Sequence, residues 1–335
     1  MPDPADAPDT APLVTVIYDP GALGDLAYND LIYEGVERAA VRHGIRTRQY
    51  SPENREEGIS FLESLFDQLS TPAADTTRHL LIVAGSSYDS FVRANNRRLE
   101  ANPRADLLYF ETKEPLEGKG SSVHIRFYGA MYEAGAITPL FSMESLLVAA
   151  NPYDVADAVA GFQAGFASDM ATELAGSSAA ELKLFVEYIS EERGSGFTIS
   201  DQEALDIMLR QPWSHWYYGT VIPLCGGASA VFRRMAEDVG YFTFVGIDKV
   251  ILSASSDYAA VKHADRAVER CIGEWMSEEG LPKHQSLGLA EGFTEMVFCP
   301  AEPANFTPII EYLTEERLAQ IRREAMEKEA EYEHL

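Results

Sequence analysis

The chain has 335 residues, more than the ~100–200 of a single domain, and its 46% hydrophobic and 10% aromatic content is enough to build two separate cores. Its 53 acidic against 27 basic residues give a formal net charge of −26, which repels polyphosphates and anionic headgroups and argues against nucleic acid as a partner. Three cysteines, Cys225, Cys271 and Cys299, are too few and too scattered for a disulfide framework or a zinc site, and read as buried small hydrophobes.

Residues 1–10, MPDPADAPDT, cannot bury anything and read as a disordered tether whose upstream export signal has been removed and replaced by a start Met. No window approaches the ~18 consecutive apolar residues of a transmembrane helix. Short apolar runs then alternate with amphipathic segments, the pattern of an α/β fold whose parallel sheets carry helices on both faces. Strands are expected at 13–17, 46–50, 79–84 and 107–110, and helices at 28–43, 58–69 and 88–101. On 58–69, Ile59, Leu62, Leu65, Phe66 and Leu69 form one apolar stripe. A Gly, Lys, Glu and Ser-rich segment, 114–122, separates this first series from a second of the same kind. There the strands are expected near 124–127, 145–149, 182–189, 218–223 and 241–246, and a later one at 250–254 leads into a helical run over 258–279. Residues 288–298 read as strand, and 314–329, dense in Glu, Arg and Lys, as a solvated C-terminal helix.

Signatures of catalysis are missing. There is no Gly-x-Ser-x-Gly elbow and no His-Glu-x-x-His, and Gly118-Lys119 is followed by Gly120 rather than by the Ser or Thr of a phosphate-binding loop. The seven histidines show no metal-ligand spacing. The paired carboxylates Glu56-Glu57 and Glu278-Glu279 sit in polar runs and read as solvated helix faces. The chain is therefore read as a binder, not an enzyme, with neither cofactor nor metal.

The most informative stretch is the loop after the first strand, Tyr18-Asp-Pro-Gly-Ala-Leu-Gly-Asp-Leu-Ala-Tyr-Asn29, which runs directly into a helix. In open α/β sheets ligands bind outside the carboxyl ends of strands, where a helix N-terminus can meet them. An ordinary Gly-rich turn with Asp25 or Asn29 as the helix cap fits the same spacing.

In this loop the sequence resembles the basic membrane protein family of ABC-transporter solute-binding lipoproteins, which includes bacterial purine-nucleoside receptors. Asp19, Gly21, Asp25, Tyr28, Asn29, Gly35 and Ala39 match the family's Asp-x-Gly-x-x-x-Asp-x-Ser-Phe-Asn loop and the helix after it, with Leu26 and Ala27 as departures. Further matches follow in the family's order: Asn102-Pro103 with Glu111 at a strand end, Phe127 with Gly135-Ala136, and the helix 160–166, Ala-Gly-Phe-Gln-Ala-Gly-Phe. Gly194-Ser-Gly-Phe197, Cys225-Gly226-Gly227, Val245-Gly-Ile-Asp248 and Val261-Lys262-His-Ala-Asp265 complete the series, with Asp248 and Lys262 closer together than the family usually places them.

The resemblance implies a type I periplasmic-binding-protein fold, two Rossmann-like lobes joined by a three-crossover hinge. The expected division is 11–122 plus 253–283 for the N-terminal lobe, 123–252 plus 284–305 for the C-terminal lobe, and 306–335 for a helical tail. It further implies a monomeric, extracytoplasmic, lipid-anchored component of an ABC importer that binds a purine nucleoside and delivers it to a membrane permease. Tyr28 and Phe197 would stack on the base. Glu111 and Asp248 would accept from ribose hydroxyls, Lys262 would donate, Asn29 would do both, and Asp25 and Gly226 would complete the set. Riboflavin or another aromatic solute suits the same slot, and a ligand sensor without a transport role suits the same fold. Taken singly, each residue also has a bland reading: core aromatics for Tyr28 and Phe197, a turn for Asp248, a solvated charge for Lys262.

Overall fold

The structure is a computed structural model that describes residues 10–20, 23–24, 27–71, 77–213, 219–239, 243–248, 256–298 and 313–334. The chain divides into two compact units, Met1–Ile125 with Ala264–Leu287 and Arg126–His263 with Gly288–Leu335, so it passes from one to the other three times.

The described residues of the first unit form a six-stranded, all-parallel sheet. Its strands are β1 (Leu13–Ile17), β2 (Arg46–Tyr50), β3 (His79–Val83), β4 (Ala105–Phe110), β5 (Ser121–Ile125) and β11 (His284–Leu287), in the order β11-β5-β4-β3-β1-β2. β1 is an apolar, β-branched run, LVTVI, buried along its whole length, as a central strand covered on both faces must be. β2, RTRQY, is polar along almost its whole length and stays half-exposed at the sheet edge. Helices α2 (Arg55–Ser70) and α3 (Asp89–Asn95) cover one face, where Leu62, Phe66 and Val92 meet Ile17, Val83 and Tyr109. Helices α1 (Tyr28–His43) and α9 (Ala264–Met276) pack on each other. Gly35 lets them approach, since a Cβ there would overlap the Asp265 carbonyl.

The second unit repeats the plan with β6 (Glu144–Ala149), β7 (Lys183–Tyr188), β8 (Thr220–Leu224), β9 (Thr243–Asp248), β10 (Ser256–Lys262) and β12 (Thr294–Phe298), in the order β12-β10-β9-β8-β6-β7. Among the described strands, β12 alone runs antiparallel to its neighbour. On one face α4 (Tyr128–Ile137), α5 (Ala156–Phe166) and α6 (Asp169–Ala175) bury Leu147, Ile222, Val245 and Ala260. On the other, α7 (Asp201–Leu209) and α8 (Ser229–Val239) bury Leu146, Val148, Val221 and Phe244. Small residues bring α4 and α5 backbone to backbone: a Cβ on Gly161 or Gly165 would overlap the Tyr128 or Tyr132 carbonyl.

Three expectations need correction. Residues 258–262 are not the start of a helix: β10 pairs parallel with β9, and α9 begins only at Ala264. The second crossing accordingly falls between His263 and Ala264 rather than near 253, and the first and third fall at 125/126 and 287/288. The C-terminal helix α10 (Glu315–Glu333) is not solvated all round, because Ile321, Ala325 and Glu329 are buried as it packs on α4. The strand expected at 250–254, residues 1–9 of the tether and Cys299 lie outside the described residues. Cys225 and Cys271 are free and buried.

Candidate functional site

In the first unit, neighbouring parallel strands are in level register: Ile17 stands beside Val83, and Val83 beside Tyr109. Two residues further on, Asp19, Gly85 and Glu111 therefore come level along the carboxyl edge. The strand spacing puts the chain after β1 about 10 Å from the chain after β4. Asp19 ties two of these loops together. Its carboxylate lies where a Cβ on Gly85 would sit and accepts from the Ser87 amide at 3.3 Å. Below it, the Tyr88 hydroxyl donates to the Tyr18 carbonyl at 3.0 Å. Helix α1 opens on this edge with Tyr28 half-buried and Asn29 buried, and Asp25 lies outside the described residues. Glu111 follows β4 directly, half-buried, with φ at 61°.

In the second unit, Asp248 ends β9 beside Val261 of β10, so Lys262 is the next residue on the adjacent strand. Asp248 is 8% exposed and has φ at 65°. The Lys262 ammonium lies 5.1 Å from the centre of the Phe127 ring, a cation–π distance. β8 leads into Cys225 and Gly226. Burial pushes the Cys225 thiol up to about 12; the Ser229 hydroxyl opposes the rise and the Asp248 charge adds to it, so no thiolate nucleophile forms there near neutrality. Gly226 has φ at 54°, and a Cβ on it would come within 3.1 Å of the Phe197 ring. Phe197 is half-buried at the margin of the core beneath α7 and α8, and its carbonyl accepts from the Ala228 amide at 3.0 Å.

The structure thus joins Phe197 with Gly226, and sets Asp248 next to Lys262, all at strand carboxyl ends of the second unit. Tyr28, Asn29 and Glu111 share the corresponding edge of the first. Among the described residues, Glu111 and Asp248 are the only non-glycine residues with positive φ. That conformation costs an L-residue roughly 1–2 kcal/mol and concentrates where function constrains the backbone.

The loop after β6 carries a further residue that no sequence motif marks. Asn151 is fully buried and makes four hydrogen bonds: its amide donates to Asp154 and to the Ser195 carbonyl, both at 2.8 Å, and its oxygen accepts from the Tyr153 and Asp154 amides at 3.0 and 2.9 Å. Asp154 in turn accepts from the Gly194 amide at 2.7 Å. The available signal was a turn-forming Asn-Pro-Tyr-Asp at the end of an apolar strand. Among the described residues no three His, Cys, Asp or Glu side chains converge as a metal site, and no helix is long and apolar enough to cross a membrane.

No family model matches the chain. A solved ABC-transporter solute-binding protein from Aeropyrum pernix is similar over 95% of this chain and 86% of its own, with a TM-score of 0.69 at 16% identity. A transcriptional activator of the comK gene from Bacillus halodurans is similar over 92% of this chain and 97% of its own, with a TM-score of 0.65 at 16% identity. In sequence, a 52-residue segment is 36% identical to an uncharacterized lipoprotein of Pyrococcus horikoshii, spanning 16% of this chain and 13% of that protein. The fold is that of the type I periplasmic-binding proteins, two Rossmann-like units linked by three crossings of the chain.

Proposed function

We propose that the chain is the extracytoplasmic solute-binding component of an ABC importer, related to the basic membrane protein family, with a purine nucleoside as its solute. The observation that carries this reading is the pair Glu111 and Asp248. Two carboxylates held in the left-handed region at strand ends suit acceptors preset for sugar hydroxyls, because a carboxylate offers acceptor sites only. On the second unit Phe197 against Gly226 supplies flat apolar surface for a base and Lys262 a donor; on the first unit Tyr28 and Asn29 offer the same two chemistries. The protein acts as a monomer tethered by a lipid, and a membrane permease receives the cargo. The role is binding rather than turnover.

A ligand sensor without a transport role is the second reading, favoured by the similarity to a transcriptional activator across nearly the whole chain. The two readings share the solute and part at the partner.

Calorimetric titration with adenosine, guanosine, inosine, riboflavin, ribose and ATP tests the solute. We expect nucleoside binding and no ATP binding. Asp248→Ala should weaken nucleoside binding about tenfold to hundredfold, the worth of one charge-assisted hydrogen bond, with the fold intact. Binding of ribose alone, or an Asp248→Ala variant as tight as the parent, overturns the reading; riboflavin in place of nucleosides keeps the aromatic slot and replaces the solute.

A further inference from the structure

From the loop that follows β6 we infer that Tyr153, steadied by Arg193, forms a further wall of the solute site and helps select for an aromatic ring; the inference rests on the strand-end reading proposed above. Tyr153 is 53% exposed, and the Arg193 guanidinium lies 5.6 Å from its ring centre. An exposed tyrosine on a loose surface loop would carry no meaning. This loop is not loose. Asn151, fully buried, spends its whole side-chain amide on fixing it, reaching the neighbouring loop at the Ser195 carbonyl, and Asp154 reaches that loop again at the Gly194 amide. At Gly196 the two loops touch so closely that a Cβ would overlap the Ala150 carbonyl.

The loop after β6 and the loop carrying Phe197 are therefore one cross-linked body at the carboxyl edge of the second sheet. It holds one aromatic half-buried against Gly226 and presents a second to solvent, capped by a cation. Presenting a ring on a rigid frame leaves little side-chain entropy to be lost when a flat solute stacks on it. Arg193 acts as a positioning residue, holding the ring through a cation–π contact. Sequence alone gives no such pairing, since the two residues are brought together by the contacts between the loops, the Asn151 and Asp154 cross-links and the close approach of Gly196 to Ala150.

The test is titration of adenosine, inosine and riboflavin into the parent, Asp248→Ala, Tyr153→Ala, Tyr153→Phe, Arg193→Ala and Arg193→Lys. Tyr153→Ala should weaken binding about 5- to 150-fold, the range for loss of one stacking partner. Tyr153→Phe should keep parental affinity. Arg193→Ala should lose about two- to fivefold and Arg193→Lys should recover it. The melting temperature without solute should stay at the parental value in Tyr153→Ala, because the ring is mostly exposed. If Tyr153→Ala binds as the parent does while Asp248→Ala has lost binding, the inference fails and the solute-binding reading stands. If the parent binds none of the three compounds, both fall.

Discussion

Glu133 shows at a single side chain how burial can outweigh a nearby opposite charge. It sits on α4 at 4% exposure, where burial pushes its carboxyl up to about 7 from an ordinary 4.5. Arg322 at 3.8 Å and the Met296 amide at 3.3 Å pull the other way without offsetting the burial, and Glu295 and Glu329 add to the rise. A carboxyl that holds its proton more tightly when folded makes its contribution fully below the unfolded pKa and loses it as pH rises through the folded one. The parent, compared with Glu133→Gln, should thus lose on the order of 3 kcal/mol between pH 4.5 and pH 7, read by urea unfolding of each at several pH values. A stability difference that stays constant over that window would show that the carboxyl ionises normally. The sequence hid this residue, because Glu133 lies in an Ala- and Gly-rich segment whose burial depends on α5, β12 and α10 arriving from elsewhere in the chain. The αL carboxylates were half legible. That Glu111 and Asp248 end strands follows from the apolar runs before them, whereas their backbone angles come from the tertiary structure.

At the scale of elements, sequence periodicity placed some elements at their observed bounds, set the strands near β5 and β12 several residues off, and failed where two elements met within a residue or two. β1, α1 and β2 have the bounds expected for them. Tyr258-Ala-Ala-Val-Lys262 read as helix because alanine favours helices and α9 starts two residues later; the alanines serve instead as narrow side chains of a central strand, with Ala260 packed among the α4 and α5 side chains. α10 misled in the opposite way. Its charges dominate, yet Ile321, Ala325 and Glu329 recur every four residues and form the buried stripe. Glu329, 2% exposed, accepts from the Gly129 amide at 2.9 Å and the Leu289 amide at 3.0 Å, with Arg126 Nε at 3.5 Å. The helix thereby holds the segments that follow the first and third crossings. Replacing Glu329 by Ala leaves two buried N–H groups without their acceptor, at about 1–3 kcal/mol each. Glu329→Ala should lower stability by roughly 2–6 kcal/mol, and Glu329→Gln, which keeps an acceptor oxygen, by less; equal losses in the two would locate the effect in packing.

The whole molecule carries −26 charges, and this sets its response to salt and its choice of partners. Many of its cations are already committed to acidic neighbours: Arg38 and Arg42 to Asp265 and Glu269 in the first unit, and Arg126 to Glu291 and Glu333 in the second. Local pairing therefore cannot remove the excess negative charge, which repels itself more strongly in a compact chain than in an unfolded one. Raising NaCl from about 0.01 M to about 0.15 M shortens the screening length from about 30 Å to about 8 Å, so most of the relief should come in that range, before salt effects on apolar burial grow. The melting temperature should rise across it, each 1 kcal/mol of relief appearing as about 2–4 °C for units of this size. The same field bears on the solute. A neutral nucleoside meets no long-range force, so its affinity should hold constant over those salt concentrations, whereas any weak ATP binding should appear only as the salt rises. A melting temperature that falls with salt, or a nucleoside affinity that changes tenfold, would mean that ion pairs rather than net repulsion govern the molecule and that charge takes part in recognising the solute.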